Sequence, residues 1–161
     1  MKKDRFLLGI LVFIGLLILA ALALFFLRTR QPAYGTDDTP QGVVRDYAVA
    51  LQNGDYERAY GYLAKMNTRP TYDTFSTAFL TRQLDISTAA LEVGAVTRQD
   101  PGGTWVAVSV QYAGSGPFDS GWSNPDRAVL IQQGTAWKIT YLPYPYFDNG
   151  NWFQPTPEPT K

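Results

Sequence analysis

Within the part of this 161-residue chain that can fold, four carboxylates, Asp46, Asp55, Glu57 and Glu92, and two tyrosines, Tyr47 and Tyr60, are the groups suited to moving a proton. A general acid/base pair needs two such groups whose surroundings drive their pKa values apart. Nothing in the sequence buries one of these carboxylates. Asp55 is placed to cap a helix, and Glu57 falls in that helix's first turn, where the dipole favours a negative charge. Solvated carboxylates are therefore expected, and Tyr47 and Tyr60 are read first as amphipathic core aromatics with hydroxyls at the rim. The chain contains no histidine and no cysteine. That removes Ser/His/Asp and Cys/His mechanisms, zinc sites built on imidazole or thiolate, disulfides, and a lipid-modified cysteine as an anchor. No catalytic residue, cofactor or metal is expected.

The segment FDSGWSNPD, Phe118 to Asp126, offers oxygen ligands for calcium. It lacks the ordered spacing and terminal Glu of a calcium loop, so it reads as a turn-rich loop. Its Trp122 is a large aromatic on a polar loop, able to anchor a partner or to fold back over the core. A second group, Tyr144, Tyr146, Phe147, Trp152 and Phe153, crowds the C-terminal tail. Aromatics at this density form an interface hot spot, lie at a membrane surface, or cover the open end of a domain. Trp122, Tyr146, Trp152 and Phe153 are thus the candidate partner surface.

Several elements must position these residues. Phe6 to Leu27 is a run of 22 residues with no charge and no strongly polar side chain. As a helix it measures about 33 Å, enough for the roughly 30 Å of bilayer hydrocarbon. Ala21-Leu22-Ala23 is an acceptable cleavage signature, but the apolar run continues through Leu27 and is too long for an ordinary secretory signal. Residues 1–30 hold five Lys and Arg against Asp4, a net of +4, which leaves −4 to the rest of a neutral chain. Three of those cations precede the helix and two follow it, so residues 1–5 are expected as a cytoplasmic flank and the domain as extracytoplasmic, on a single-pass anchor in the cell membrane. The acidic remainder, with no basic cluster, argues against nucleic acid.

Residues 28–38 read as a linker. Thr39-Pro40 then supplies an N-cap and a first-turn proline for a helix carrying Val43, Val44, Tyr47, Ala48, Ala50 and Leu51. Asn53-Gly54 ends it, and Asp55 opens a second helix with Tyr56, Ala59, Tyr60 and Leu63 inward. A third is expected over residues 71–84, with Tyr72, Phe75 and Phe79 on its apolar side and Leu80 at the margin. From Thr88 the period switches to two. Strands are expected over 90–98, 104–112, 127–133 and 136–142, as two hairpins joined by a loop at 113–125. Beyond Leu142 the prolines preclude regular structure, and residues 148–161 are expected as an extended tail.

Helices followed by antiparallel strands give an α+β domain. The stretch TPQGVVRDYAVALQNGDYERAYGYLA, Thr39 to Ala64, resembles the opening of nuclear transport factor two-like domains, and Ala136-Trp137-Lys138-Ile139 resembles their closing strand. The resemblance covers residues 39–147. It implies a cone of two or three helices packed on a curved antiparallel sheet of about four strands. The pocket of such a cone would be lined here by Tyr47, Tyr60, Phe75, Val108, Val110, Trp137 and Ile139. Members of that superfamily include enzymes, ligand binders and interaction modules, so function has to come from the site. The expected function is a non-catalytic module that binds a protein partner or an apolar small molecule in or around the pocket. The alternatives are a Tyr/Asp enzyme of the isomerase or dehydratase kind and a small accessory subunit of a larger membrane complex.

Overall fold

The computed structural model describes residues 3–28, 34–35, 38–67, 69–100, 103–114, 116, 119–150 and 152, with side chains inside the first helix described over residues 8–24. The chain divides into two compact units, Met1–Ala33 and Tyr34–Lys161. The first unit contains a helix, α1 (Lys3–Arg28), of 26 residues, about 39 Å long at the usual rise. Its described side chains are apolar and exposed, among them Leu8, Leu11, Phe13, Leu19 and Leu24. Among the described residues no helix is long and apolar enough to cross a membrane; Leu8 to Leu24 accounts for only about 25 Å of α1.

The second unit holds three helices, α2 (Pro40–Gln52), α3 (Tyr56–Tyr62) and α4 (Tyr72–Leu80). Each opens on a side-chain cap that satisfies an otherwise orphaned amide. Thr39 Oγ1 accepts from Gly42 N–H at 3.1 Å, Asp55 Oδ1 from Arg58 N–H at 3.1 Å, and Thr71 Oγ1 from Thr74 N–H at 3.2 Å. Gly54, at φ +71°, turns the chain from α2 into α3, which is the left-handed position a helix exit favours. α4 is shorter than the period suggested. Arg82 takes φ +60° and ends the helical run, so Leu84 returns to the core while Leu80 is 66% exposed.

Four strands follow, β1 (Ala89–Asp100), β2 (Gly103–Tyr112), β3 (Trp122–Gln133) and β4 (Ala136–Tyr141), paired antiparallel in the order β1-β2-β3-β4. Register shifts around Val96 interrupt β1, and irregularities of this kind bend a strand. β3 begins five residues earlier than the pattern indicated. Ser123, Asn124 and Pro125 read as loop because they are polar or lack a donor, yet they pair with Gln111, Val110 and Ser109 of β2. β4 pairs with β3 only from Val129 onward, so residues 122–128 form a sheet edge, where a proline is tolerated.

Val106, Val108 and Val110 of β2, Ala128 and Leu130 of β3 and Ile139 of β4 turn one face of the sheet to Val44, Tyr47, Leu51, Leu63 and Phe75 of the helical side. The tail does not extend away from this core. Pro143 to Tyr146 forms a turn, closed by Tyr146 N–H to the Pro143 carbonyl at 3.0 Å, and Trp152 N–H donates to the Asp148 carbonyl at 2.9 Å. Leu142, Tyr146, Phe147 and Trp152 are all buried.

Candidate functional site

The residues expected to line a pocket do come together. Tyr47, Phe75, Val110 and Ile139 are fully buried, Val108 nearly so, and Trp137 and Tyr60 are half-buried at the margin. Between them, however, sits the chain's own tail. The Tyr47 hydroxyl donates to the Tyr146 carbonyl at 2.7 Å, and the Tyr146 hydroxyl donates to the Ala89 carbonyl at 3.0 Å. Trp152 packs against Phe75, Phe147 and Phe79 with ring centroids 5.3, 5.0 and 6.2 Å apart. This corrects two expectations. Tyr146 and Trp152 are 0% and 3% exposed, so of the three roles open to the tail aromatics these two cover the domain instead of presenting a partner surface. The expected pocket residues accordingly line a packed interior. The physical reason is apolar burial: an aromatic side chain taken out of water contributes about 2–3 kcal/mol, and each buried tyrosine finds a backbone acceptor for its hydroxyl. Phe153, like Phe118, lies outside the described residues.

Burial raises both hydroxyls' pKa values, that of Tyr47 well above the usual value and that of Tyr146 to about 12. Tyr60 is likewise engaged. Its hydroxyl donates to the Pro70 carbonyl at 2.8 Å, and the Arg69 guanidinium lies 3.5 Å from its ring centroid while donating to the Tyr60 carbonyl.

Among the carboxylates, Asp46 is buried, contrary to expectation, at 6% exposure. Its Oδ1 accepts from Gly35 N–H at 2.7 Å and stands 3.6 Å from Arg45 Nε. Next to it, Tyr34 donates its hydroxyl to Asp55 Oδ2 at 3.1 Å and lies under Arg58, 3.4 Å from ring centroid to guanidinium. Asp46 and Asp55 thus tie residues 34–35 onto α2 and α3, and the folded unit begins at Tyr34, inside the segment expected as linker. Glu92 is exposed and accepts from the Gln111 side chain at 3.1 Å. Among the described residues no three carboxylates gather at one point.

Two features remain open to solvent at the end of the sheet where Ala89, Tyr112 and Trp122 stand side by side across β1, β2 and β3. One is a cleft of about 410 Å³ between the end of α2, α3, α4 and the connection to β1. Leu51, Tyr56, Phe79 and Ile86 give it an apolar floor, and Gln52, Arg82 and Asp85 a polar rim. The Asp85 pKa is lowered, chiefly by hydrogen bonds from Ser87 and further by Arg82.

The other is an aromatic platform. Trp122 and Tyr112 are stacked with centroids 4.0 Å apart and planes at 15°, and the Tyr112 hydroxyl donates to the Tyr144 carbonyl at 3.1 Å. Trp122 is 60% and Tyr144 55% exposed. Gly121 makes the stack possible: it sits at φ +68°, and a Cβ there would fall 2.2 Å from the Tyr112 carbonyl oxygen. Directly opposed residues share a sheet face, as do alternate ones. Trp122, Asn124 and Asp126 therefore continue the face that bears Ala128 and Leu130, past the point where the helices cover it.

Trp122 was singled out in the sequence as a large aromatic on a polar loop. Tyr112, Asn124 and the cleft were not, although Tyr112 does stand at the last inward position of an alternating strand. Compared with known proteins, the chain matches no family model, no curated protein and no solved structure.

Proposed function

We propose that the chain is a single-pass, membrane-anchored extracytoplasmic binding module without catalytic activity, which engages its ligand at the open end of the sheet and not inside the fold. The observation that carries this reading is the contrast in burial between the two aromatic groups. Tyr146 and Trp152 fill the interior, whereas Trp122, locked on Tyr112, stands 60% exposed. A large aromatic held rigid in water costs little further ordering on binding, which is what a recognition surface needs.

The anchor is supported by the sequence itself. A helix apolar on every side suits a lipid environment, the uncharged run Phe6 to Leu27 has the required length, and α1 runs without a break through all of it. The three caps, the Asn53-Gly54 break and the single four-stranded meander support membership of the nuclear transport factor two-like superfamily, with the cone closed from within by the tail. An enzyme reading would draw on Asp46, and its carboxylate is committed to Gly35 and Arg45.

The test is native mass spectrometry of the full-length chain, extracted in mild detergent from carbonate-washed membranes of its own host. A bound companion or small molecule that disappears in Trp122→Ala supports the proposal. A bare chain, a companion indifferent to Trp122, or recovery in the carbonate supernatant overturns it.

A further inference from the structure

The platform has a shape and a polar surround that select one class of ligand. Resting on the binding reading above, we infer that the face carrying Trp122, Asn124 and Asp126 binds the rings of an uncharged saccharide chain. Trp122 and Tyr112 stack nearly parallel, with planes 15° and centroids 4.0 Å apart, and Trp122 remains 60% exposed, so the indole presents its other face to solvent. An aromatic box for a quaternary ammonium needs rings set at angles around the cation, and this pair does not form one. The face of an aromatic ring is its negative side. The axial C–H bonds of a pyranose, polarised by the ring oxygens, lie against such a face and leave the hydroxyls pointing outward around the rim.

Those hydroxyls need donors and acceptors at the side. Asn124 follows Trp122 on the same face about 7 Å further along the strand and carries both in one side chain. Asp126 comes next, and its carboxylate is held in place: Oδ1 accepts from Arg127 N–H at 2.8 Å and Oδ2 from the Tyr141 hydroxyl at 3.0 Å. A fixed carboxylate retains lone pairs for sugar hydroxyls and repels anions. Arg127 points by alternation to the other side of the sheet, its guanidinium 4.5 Å from the Trp105 centroid and 6.0 Å from that of Tyr141.

Size argues the same way. Trp122 and Tyr144, at 60% and 55% exposure, offer on the order of 300 Å² of aromatic surface. A stable protein interface takes about 800 Å² from each partner. The neighbouring edge of β3 is a poor template for an added peptide strand, because Pro125 has no N–H to give.

The test is a printed array of neutral and N-acetylated oligosaccharides of three to six residues, probed with the full chain in a detergent whose headgroup contains no sugar. Hits are then titrated in solution by tryptophan fluorescence. Saturable binding is expected, weakened roughly tenfold or more by Trp122→Ala and severalfold by Asn124→Ala. Both substitutions are at exposed positions, and thermal unfolding of each variant confirms that it folds. Binding that survives Trp122→Ala overturns the assignment of the site. A blank array overturns the saccharide inference, and there the two proposals separate: a Trp122-dependent protein companion in native mass spectrometry leaves the binding module standing, whereas a bare chain removes both.

Discussion

Two aromatic groups of similar make-up meet opposite fates in this fold. Tyr146, Phe147 and Trp152 come from a proline-rich tail with no regular structure and end at 0%, 2% and 3% exposure. Tyr112 and Trp122 belong to regular strands, yet Trp122 stays 60% exposed. Aromatic density alone therefore does not distinguish a core from a surface. What separates the groups is whether the chain can return to cover its own apolar face. The tail turns at Pro143 to Tyr146, and its tyrosine hydroxyl reaches the Ala89 carbonyl. Trp122 is stacked on one side and nothing in the described chain covers the other.

The sharpest way to break this contrast is to remove the tail's plug. Trp152→Ala deletes a ring in contact with Phe75, Phe79 and Phe147 and is expected to cost about 3–5 kcal/mol, as for other buried aromatics cut to alanine. Urea unfolding of the full chain in detergent, followed by circular dichroism, measures the cost. A loss under 1 kcal/mol would mean that the tail is not part of the core.

Alkali probes the same plug without mutation. Burial raises the hydroxyl pKa of Tyr146 to about 12 and that of Tyr47 well above its usual value. Between pH 10 and 12 the unfolded chain has therefore released protons that the folded chain retains, and stability falls as pH rises. Stability is expected to be level to about pH 9.5 and to drop by about 2–3 kcal/mol by pH 12 from Tyr146 alone. Tyr146→Phe should flatten part of that descent while losing about 1 kcal/mol at neutral pH with the bond to Ala89. An identical alkaline profile in the variant would show that Tyr146 is not the group responsible.

How much of this was legible in the sequence depends on how far apart the deciding residues lie. The start of α2 was readable because Thr39 and Pro40 are adjacent and act on the same turn. The inner face of β2 was readable because Val106, Val108 and Val110 alternate within one strand. The first half of β3 was not, since Ser123, Asn124 and Pro125 have loop-like local preferences and become strand only through pairing with β2. Nor was the closure of the fold, which rests on a bond from Tyr47 to a residue 99 positions away. The end of α4 was missed for a local reason: Arg82 adopts a left-handed conformation that sequence reading reserves for glycine or asparagine. The platform lay between these cases, with Trp122 visible and its partner Tyr112 visible only as one more strand residue.

Gly121→Ala acts on the platform from beneath. The new Cβ would meet the Tyr112 carbonyl oxygen at 2.2 Å, in a backbone conformation at φ +68° that side chains rarely adopt. A loss of about 1–3 kcal/mol is expected, together with collapse of the near-ultraviolet circular dichroism that the Tyr112–Trp122 stack produces. Loss of that signal with the core transition preserved would show that the open end can be dismantled separately from the closed one.

The smallest effect on stability is expected where the effect on function is largest. Trp122→Ala leaves Tyr112 in its strand with its hydroxyl still on the Tyr144 carbonyl and opens no cavity, since the indole already faces water. Only the stacking contact is lost, about 0.5–1.5 kcal/mol at most. Set against Trp152→Ala, the same change of side chain should therefore differ several-fold in cost, and urea midpoints of the two variants measured side by side give the ratio. Near-equal losses would mean that Trp122 also belongs to the core, and the distinction between a filled end and a presenting end would fall with it. A small loss, combined with disappearance of the bound partner, would separate folding from recognition in a single residue, because the free energy that Trp122 leaves unused in the folded chain is then available only to a ligand.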